Sequence, residues 1–397
     1  MISSYLPYPL FSGGQVRLYN LIKELSARHE ITLICEKRHH QTAADITEVK
    51  KICKEVITVE RKKQWSVSNV FKAGFSSNSF LVTGHTTADF TKKIQQTLAD
   101  NTFDVIHIET YYVAENLPET SIPVVLAEHN IEYQVYEKFM NRAPLVLKPL
   151  LKLDIRKIRK EEEKLWKKVA AVVAVSREDQ KVIKQSGVDS FLVSNGVNTD
   201  QFGFKNLQKA IDQKEKRILF LGDFKWIQNR DSVTFIIKEI WPFIKELGSK
   251  NKELSIKLWI VGRSIPDSIR SLTSDPTVLF DEQSSNLPTE KIFQEASILL
   301  APIRIGGGTS YKILESMSSG TPVVTMQMSA DALSAKDGQD IMVGNSAKEL
   351  AEKSLQLLQN ENLYQKISQN GRALVEQNYT WKEIGKKLEG VYEKVVS

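Results

Sequence analysis

Short apolar runs rich in β-branched residues alternate with longer stretches of helical period along most of the 397-residue chain. That alternation predicts parallel strands separated by helices, an α/β fold. In the first half, strands are predicted at Glu30 to Cys35, Val56 to Val59, Asp104 to Ile108, Val124 to Ala127, Ala170 to Val175 and Phe191 to Val193. Helices fill the intervals, notably Gly14 to Arg28 and Arg177 to Gln185. A second set follows at Arg217 to Leu221, Leu258 to Val261, Val278 to Phe280, Ile298 to Ala301 and Pro322 to Thr325. Two doubly wound units are therefore expected, at residues 1–205 and 217–379, joined by a polar linker at Asn206 to Lys216. The length agrees, because single cores rarely grow past roughly 250–300 residues. Only Met1 to Tyr5 precede the Pro7-Tyr8-Pro9 and Gly13-Gly14 loop, so a few residues of the native start are expected to be missing.

Composition narrows the class. Apolar residues make up 41% and charged residues 26%, as in globular proteins. The 54 basic and 48 acidic side chains leave a formal charge of +6, too small an excess to argue for nucleic acid. Cys35 and Cys53 lack ligand spacing and read as packing thiols in a reducing, cytoplasmic setting. The start has no basic n-region or cleavage site, and no apolar run reaches the ~18–20 residues of a membrane span, so membrane contact is expected to be peripheral.

The most informative segment runs from Ala301 to Thr325 and reads strand, glycine loop, helix, glycine stop, strand. Gly306, Gly307 and Gly308 remove side chains that would hold a ligand off the backbone, and the helix starting near Thr309 aims N–H groups at that space, as a diphosphate requires. Lys312 lies one turn before Glu315 on the same side of the helix, and Arg304 stands at the strand's carboxyl end, where open α/β sheets bind ligands. A carboxylate just beyond a phosphate site suits a pair of ribose hydroxyls. Glycine turns also serve packing alone. Gly13-Gly14 is open to the same two readings, and so is His129, directly after the strand Val124 to Ala127.

These residues resemble the donor-binding signature of the retaining family 4 of the glycosyltransferases, in the branch with the form Gly-Gly-Gly-Thr-x-x-Lys-Ile-Leu-Glu. The resemblance implies the GT-B fold, two Rossmann-like domains facing across a cleft, with a terminal segment at 380–397 that crosses back onto the first. It implies that Glu315 is the second glutamate of the family's E-x7-E pair, whose first position is here Gly307. It further implies that the loop holding Gly13 and Gly14 approaches the donor phosphate and sugar, and that His129 is the histidine beside the transferred sugar. The family's Arg and Lys on the diphosphate fall on Asp223 and Gln228, so Lys225, Arg304 and Lys312 become the candidates for neutralising the leaving group, with Gly307, Gly308 and Thr309 lining it. Asp-x-Asp and zinc spacings are missing from the sequence, so neither metal nor other cofactor is expected. The implied activity is transfer of a hexose-type sugar from a nucleotide-diphosphate donor to a glycan or lipid-linked acceptor, in cell-surface polysaccharide or glycoconjugate synthesis, with retention.

Glu137 to Lys168 carries 11 Lys or Arg against five acidic residues, interleaved with Phe139, Leu145, Leu150 and Trp166, a basic amphipathic stretch suited to an anionic membrane surface. Arg61 to Trp65 adds to it; a solvated helix packed on its lobe is the plainer reading. The competing functions are a nucleotide-sugar epimerase and a catalytically silent sugar-nucleotide-binding scaffold.

Overall fold

The structure is a computed structural model and describes residues 1–62, 64, 67–249, 255–305 and 308–397. Contacts divide the chain into two units, Met1–Ser194 with Ile384–Ser397, and Asn195–Glu383.

The first unit holds a seven-stranded sheet made of β1 (Ile2–Ser3), β2 (Thr32–Lys37), β3 (Glu55–Glu60), β4 (Ile106–Glu109), β5 (Val124–Glu128), β6 (Ala171–Ala174) and β7 (Ser190–Leu192). The second holds a six-stranded sheet made of β8 (Glu215–Leu221), β9 (Ser255–Val261), β10 (Val278–Asp281), β11 (Ile298–Ala301), β12 (Val323–Thr325) and β13 (Met342–Val343). The orders are β3-β2-β1-β4-β5-β6-β7 and β10-β9-β8-β11-β12-β13, with every pairing between these strands parallel. Parallel strands are covered on both faces, so they read as unbroken apolar runs. Val125, Leu126 and Ala127 in β5 and all four residues of β6 are accordingly buried.

The chain winds outward from β1 to β3, then returns to build β4 on β1's other side; β8 and β11 repeat the manoeuvre. Each sheet thus has one place where strand order reverses, and the loops leaving the carboxyl ends there diverge and open a crevice. Those places lie between β1 and β4 and between β8 and β11. Register pairs Ser3 with Glu109 at the first and Leu219 with Leu299 at the second.

Two expectations are corrected. Residues 206–216 are not a linker but part of the second unit. Asn206 caps a helix over Leu207–Asp212, and β8 already begins at Glu215. The polar composition misleads because Lys216 buries its stem and donates its ammonium to the Ala210 and Ile211 carbonyls at that helix's end. The chain divides instead at Ser194/Asn195, ahead of the expected end at residue 205, and at Glu383/Ile384. Two short strands, β1 and β13, carry too few residues for a periodic signal.

The basic stretch also differs from a simple amphipathic face. In the helix Lys148–Lys168, Ile155, Ile158, Glu162 and Trp166 are buried against the first unit. Two of its acidic residues cap neighbouring helices: Glu162 accepts from the Glu132 and Tyr133 N–H groups at 2.8 and 3.0 Å, and Asp154 from Phe80 N at 2.8 Å. Exposed apolar side chains stand on this helix at Leu150 and Leu153, and outside it at Phe71, Phe75, Phe139 and Leu145 to Leu147. Trp65 lies outside the described residues. Among the described residues no helix is long and apolar enough to cross a membrane.

In the second unit the loop after β8 lies hard against the end of β9. A Cβ added at Gly262 would meet the Gly222 carbonyl oxygen at 2.0 Å, a backbone atom that cannot yield. Gly262→Ala is expected to destabilise this unit by about 2–3 kcal/mol. An unchanged denaturation midpoint would show that the loop has room to move.

Candidate active site

The first unit brings three of the predicted residues together at the β1/β4 reversal. Ser12 caps the helix Gly13–Leu25, and Leu18, Leu21, Ile22 and Leu25 bury one face of it. Gly14 lies in the first turn against two side chains: an added Cβ would stand 2.8 Å from Tyr5 Oη and 3.5 Å from His129 Nδ1. The glycine therefore lets the helix start approach the histidine that follows β5.

His129 hydrogen-bonds through Nε2 to Glu109 Oε2. Glu109, the last residue of β4, is fully buried. Burial alone would raise its carboxyl, but the charge and hydrogen bond of His129, with His107 Nε2 at 3.6 Å, outweigh it and hold the group well below its usual value. An ionised carboxylate only accepts, so the His129 proton sits on Nε2 and Nδ1 faces Gly14. Behind Glu109, His107 is lowered by burial against the pull of that carboxylate, and its Nδ1 meets Tyr392 Oη at 2.7 Å. Sequence reasoning stopped this strand at Ile108 and so passed over Glu109.

The second cluster stands at the β8/β11 reversal. On the helix Tyr311–Ser318, Lys312 donates from Nζ to Asn229 Oδ1 at 2.8 Å and lies 4.4 Å from the Phe220 ring centroid. Asn229 in turn donates to Asp223 O at 2.8 Å. Gly222 makes room for it, since a Cβ there would fall 2.6 Å from Asn229 Cγ. Lys312 and Glu315 keep some exposed surface, but their charged ends lie deep. Burial pushes the Lys312 ammonium down to about 7 despite Glu315, and lifts the Glu315 carboxyl to about 7 despite Lys312.

The remaining predicted residues divide. Gly308 takes a φ of +81° with open space where a Cβ would point, a conformation that favours glycine. Thr309 is buried and fixes the loop, its Oγ1 accepting from Asn195 N at 2.9 Å and its carbonyl from Asn195 Nδ2 at 3.1 Å. Arg304 is not offered to a ligand: Asp231 grips it at 3.0 and 3.1 Å, and it stacks 4.1 Å over Phe235. Lys225 is exposed on the loop after β8. Gly306 and Gly307 lie outside the described residues. Sequence reasoning did not nominate Asn229 or Asp231, whose partners Lys312 and Arg304 lie more than seventy residues away; the signal available was their position after β8, the strand at the reversal.

Comparison with known proteins identifies the family. The family model for Glycosyltransferase Family 4 matches residues 11–201, and the model for Glycosyl transferases group 1 matches residues 215–360. The chain belongs to the group 1 glycosyltransferases of the GT-B fold. It is similar to the phosphatidyl-myo-inositol mannosyltransferase of Mycobacterium leprae, 23% identical over 77% of each chain. Among solved structures it resembles HepE of Anabaena in complex with UDP and glucose, with a TM-score of 0.65 at 13% identity over 99% of each chain. It also resembles WaaG, a glycosyltransferase involved in lipopolysaccharide biosynthesis, with a TM-score of 0.64 at 14% identity over 98% of this chain and 99% of that one.

The raised Glu315 carboxyl makes stability fall with pH. The folded state keeps this proton up to about 7, whereas an ordinary carboxyl releases it near 4.5, so the contribution is complete below 4.5 and is lost as pH rises through 7. Glu315→Gln is expected to reduce the drop in melting temperature between pH 4.5 and 7.5. An identical drop in both proteins would place the carboxyl in water.

Proposed function

We propose that this transferase is a retaining, metal-independent hexosyltransferase that takes its sugar from a nucleotide-diphosphate donor. The acceptor is a glycan or lipid-linked molecule in cell-surface polysaccharide or glycoconjugate synthesis. The observation that carries the reading is Lys312 held by Asn229 and Phe220 one turn before Glu315, at the carboxyl end of the β8/β11 reversal. A nucleotide diphosphate matches it group for group. Glu315 accepts from the ribose hydroxyls, Lys312 faces the diphosphate, and Gly308 lets the backbone come close. With Arg304 engaged by Asp231, the leaving-group charge falls to Lys312 and the N–H groups that open the helix Tyr311–Ser318. His129, oriented by Glu109 beside Gly14, takes the sugar-contacting role that the family resemblance implies for it.

In the transfer, the anomeric C–O bond breaks with its electron pair leaving on the diphosphate. The acceptor hydroxyl forms the new bond on the same face, and its proton passes to a phosphate oxygen. The Anabaena neighbour, with UDP and glucose, supports a nucleotide-hexose donor, and the mycobacterial relative, a phosphatidyl-myo-inositol mannosyltransferase, supports a lipid-linked acceptor. WaaG's lipopolysaccharide role supports the cell-surface pathway.

The reading places the chain in the cytoplasm, peripheral on the inner face of the membrane. Phe75 and Val146, each 89% exposed, supply apolar contact, and Lys148 and Lys152 stand next to the second of them in sequence. Lys157 ties the two segments by donating to the Ala73 and Ser76 carbonyls at 2.6 and 2.8 Å. Flotation with phosphatidylglycerol vesicles at low salt is expected, and a Phe75→Ser, Val146→Ser variant should stay at the bottom of the gradient. A wild-type chain that does not float sinks this part of the reading.

A panel of nucleotide sugars tests the donor. One should raise the melting temperature, by the equivalent of about 2.7 kcal/mol at a hundred times its Kd, and Glu315→Ala should abolish the shift. A bound diphosphate favours the charged lysine, so binding takes up a proton and affinity is expected to fall as pH rises past about 7. Lys312→Met should flatten that profile. No stabilisation by any donor would sink the donor site, whereas stabilisation without turnover under every acceptor tried would favour the silent-scaffold alternative.

A further inference from the structure

The first unit carries a second basic group at the carboxyl ends of its strands, on the far side of the β1 loop from His129. Strands β2 and β3 run in register to Lys37 and Glu60, and Arg61 N donates to Lys37 O at 2.8 Å, which sets Arg61 beside the next residue, Arg38. Arg61 Nη2 lies 3.3 Å from His85 Nε2, and His85 Nδ1 lies 2.6 Å from Glu36 Oε2. A guanidinium only donates, so His85 accepts at Nε2, carries its proton on Nδ1 and passes it toward Glu36. His85 and Glu36 are both 2% exposed, so this relay fixes the guanidinium from below. Arg38 is held from its backbone, which donates to Gln41 Oε1 at 2.9 Å, while Gln41 Nε2 donates to the Leu6 and Tyr8 carbonyls of the β1 loop.

The charges do not cancel. One carboxylate, Glu36, serves the pair through an imidazole, and the nearby Glu60 is taken by Lys37 at 2.5 Å. Among the described residues neither guanidinium makes an ion pair with a carboxylate. Partial withdrawal from water, and then the charge of Arg61, hold Arg38 below its ordinary value, as two cations without an anion between them should. The group is also continuous with the candidate active site: His85 packs 4.6 Å from the Tyr112 ring, Tyr112 accepts from Ser4, and the next residue, Tyr5, touches Gly14.

We propose that Arg38 and Arg61 form a subsite for a phosphoryl group carried by the acceptor substrate. The inference rests on the transferase reading above. Two planar N–H forks match a tetrahedral anion with three free oxygens better than a carboxylate with two. A surplus cation at this edge of the first unit's sheet would hold an acceptor phosphate on the same unit as His129.

Inorganic phosphate titrated into the full chain, followed through the arginine side-chain N–H resonances, tests the site. The Arg38 and Arg61 resonances are expected to shift along one curve. The apparent Kd should rise roughly ten-fold or more in Arg38→Ala, as loss of a charge-assisted hydrogen bond implies. Arg38 is exposed, so this variant folds and is the one that decides the test. Resonances that stay still, or a curve unchanged in the variant, overturn the proposal. Flotation on phosphatidylglycerol vesicles separates the two sources of phosphate: unchanged flotation of Arg38→Ala supports the acceptor, and lost flotation reassigns the pair to a lipid headgroup and overturns it. Failure of the phosphate arm with donor stabilisation intact sinks the subsite alone. Failure of donor stabilisation with the phosphate arm intact sinks the transferase reading, and with it the assignment to an acceptor.

Discussion

The constraint on which the rest depends is that a parallel sheet must be wound, and a sheet wound in both directions leaves one gap. Every parallel connection has to climb back over a face of the sheet, so the loops leaving neighbouring strands normally travel together. Only where the order reverses do they part. In this chain the reversals lie at β1/β4 and β8/β11. Gly14, Glu109 and, one strand further, His129 gather at the first; Asn229, Lys312 and Glu315 gather at the second. A reactive cluster needs groups from distant parts of the sequence brought within hydrogen-bond reach without a core between them, and the winding provides that in each unit.

Burial then gives these groups opposite fates according to their partners. Glu109 and Glu315 are both carboxylates withdrawn from water. Glu109 faces two imidazoles and ends up well below the ordinary carboxyl range, while Glu315 faces a single lysine that is itself starved of solvation and ends near 7. A permanently charged carboxylate suits a group that must hold a histidine in one tautomer. A carboxyl balanced at neutrality suits one that exchanges hydrogen bonds with a ligand arriving and departing. Lys312 shows the same balance from the other sign: withdrawal from water makes its charge responsive, so an incoming anion completes the ionisation instead of meeting a cation already neutralised. Arg304 illustrates the contrary case. The bidentate grip of Asp231 settles its charge, and it braces the loop after β11 against the helix Ile227–Phe235.

How much of this could be read beforehand depended on whether the signal was local. Strands such as β5 and β6 are legible because burial on both faces makes them uniformly apolar. The glycine loop and the Lys312/Glu315 pair are legible because a loop, a helix start and a spacing of three all lie within one short segment. Thr309 reads as a ligand contact in sequence, although its hydroxyl is spent on Asn195, more than a hundred residues away along the chain. Asn229 and Glu109 escape a sequence reading because their value comes from a partner on another strand or helix. The segment at residues 206–216 misleads for a related reason: composition counts the charge of Lys216 and cannot see that its ammonium is satisfied by carbonyls.

The charged run in the helix Lys148–Lys168 carries that lesson furthest. Read as a sum, its carboxylates dilute a basic membrane face. Read in place, Glu162 closes one helix start and Asp154 another, with both backbone N–H groups at the Glu162 end satisfied by one side chain. Orphan N–H groups at a helix start are costly to bury, and an acid reaching from a neighbouring helix meets that cost even though burial raises the Glu162 carboxyl well above its ordinary value against the pull of those N–H groups. Asp154, Glu161 and Glu162 are therefore committed to neighbouring backbone, and among the acids of this helix only Glu163, paired with Arg159 at 2.7 Å, is left to oppose its exposed lysines and arginines. A surface can be more basic than its sequence when its acids are engaged as structure.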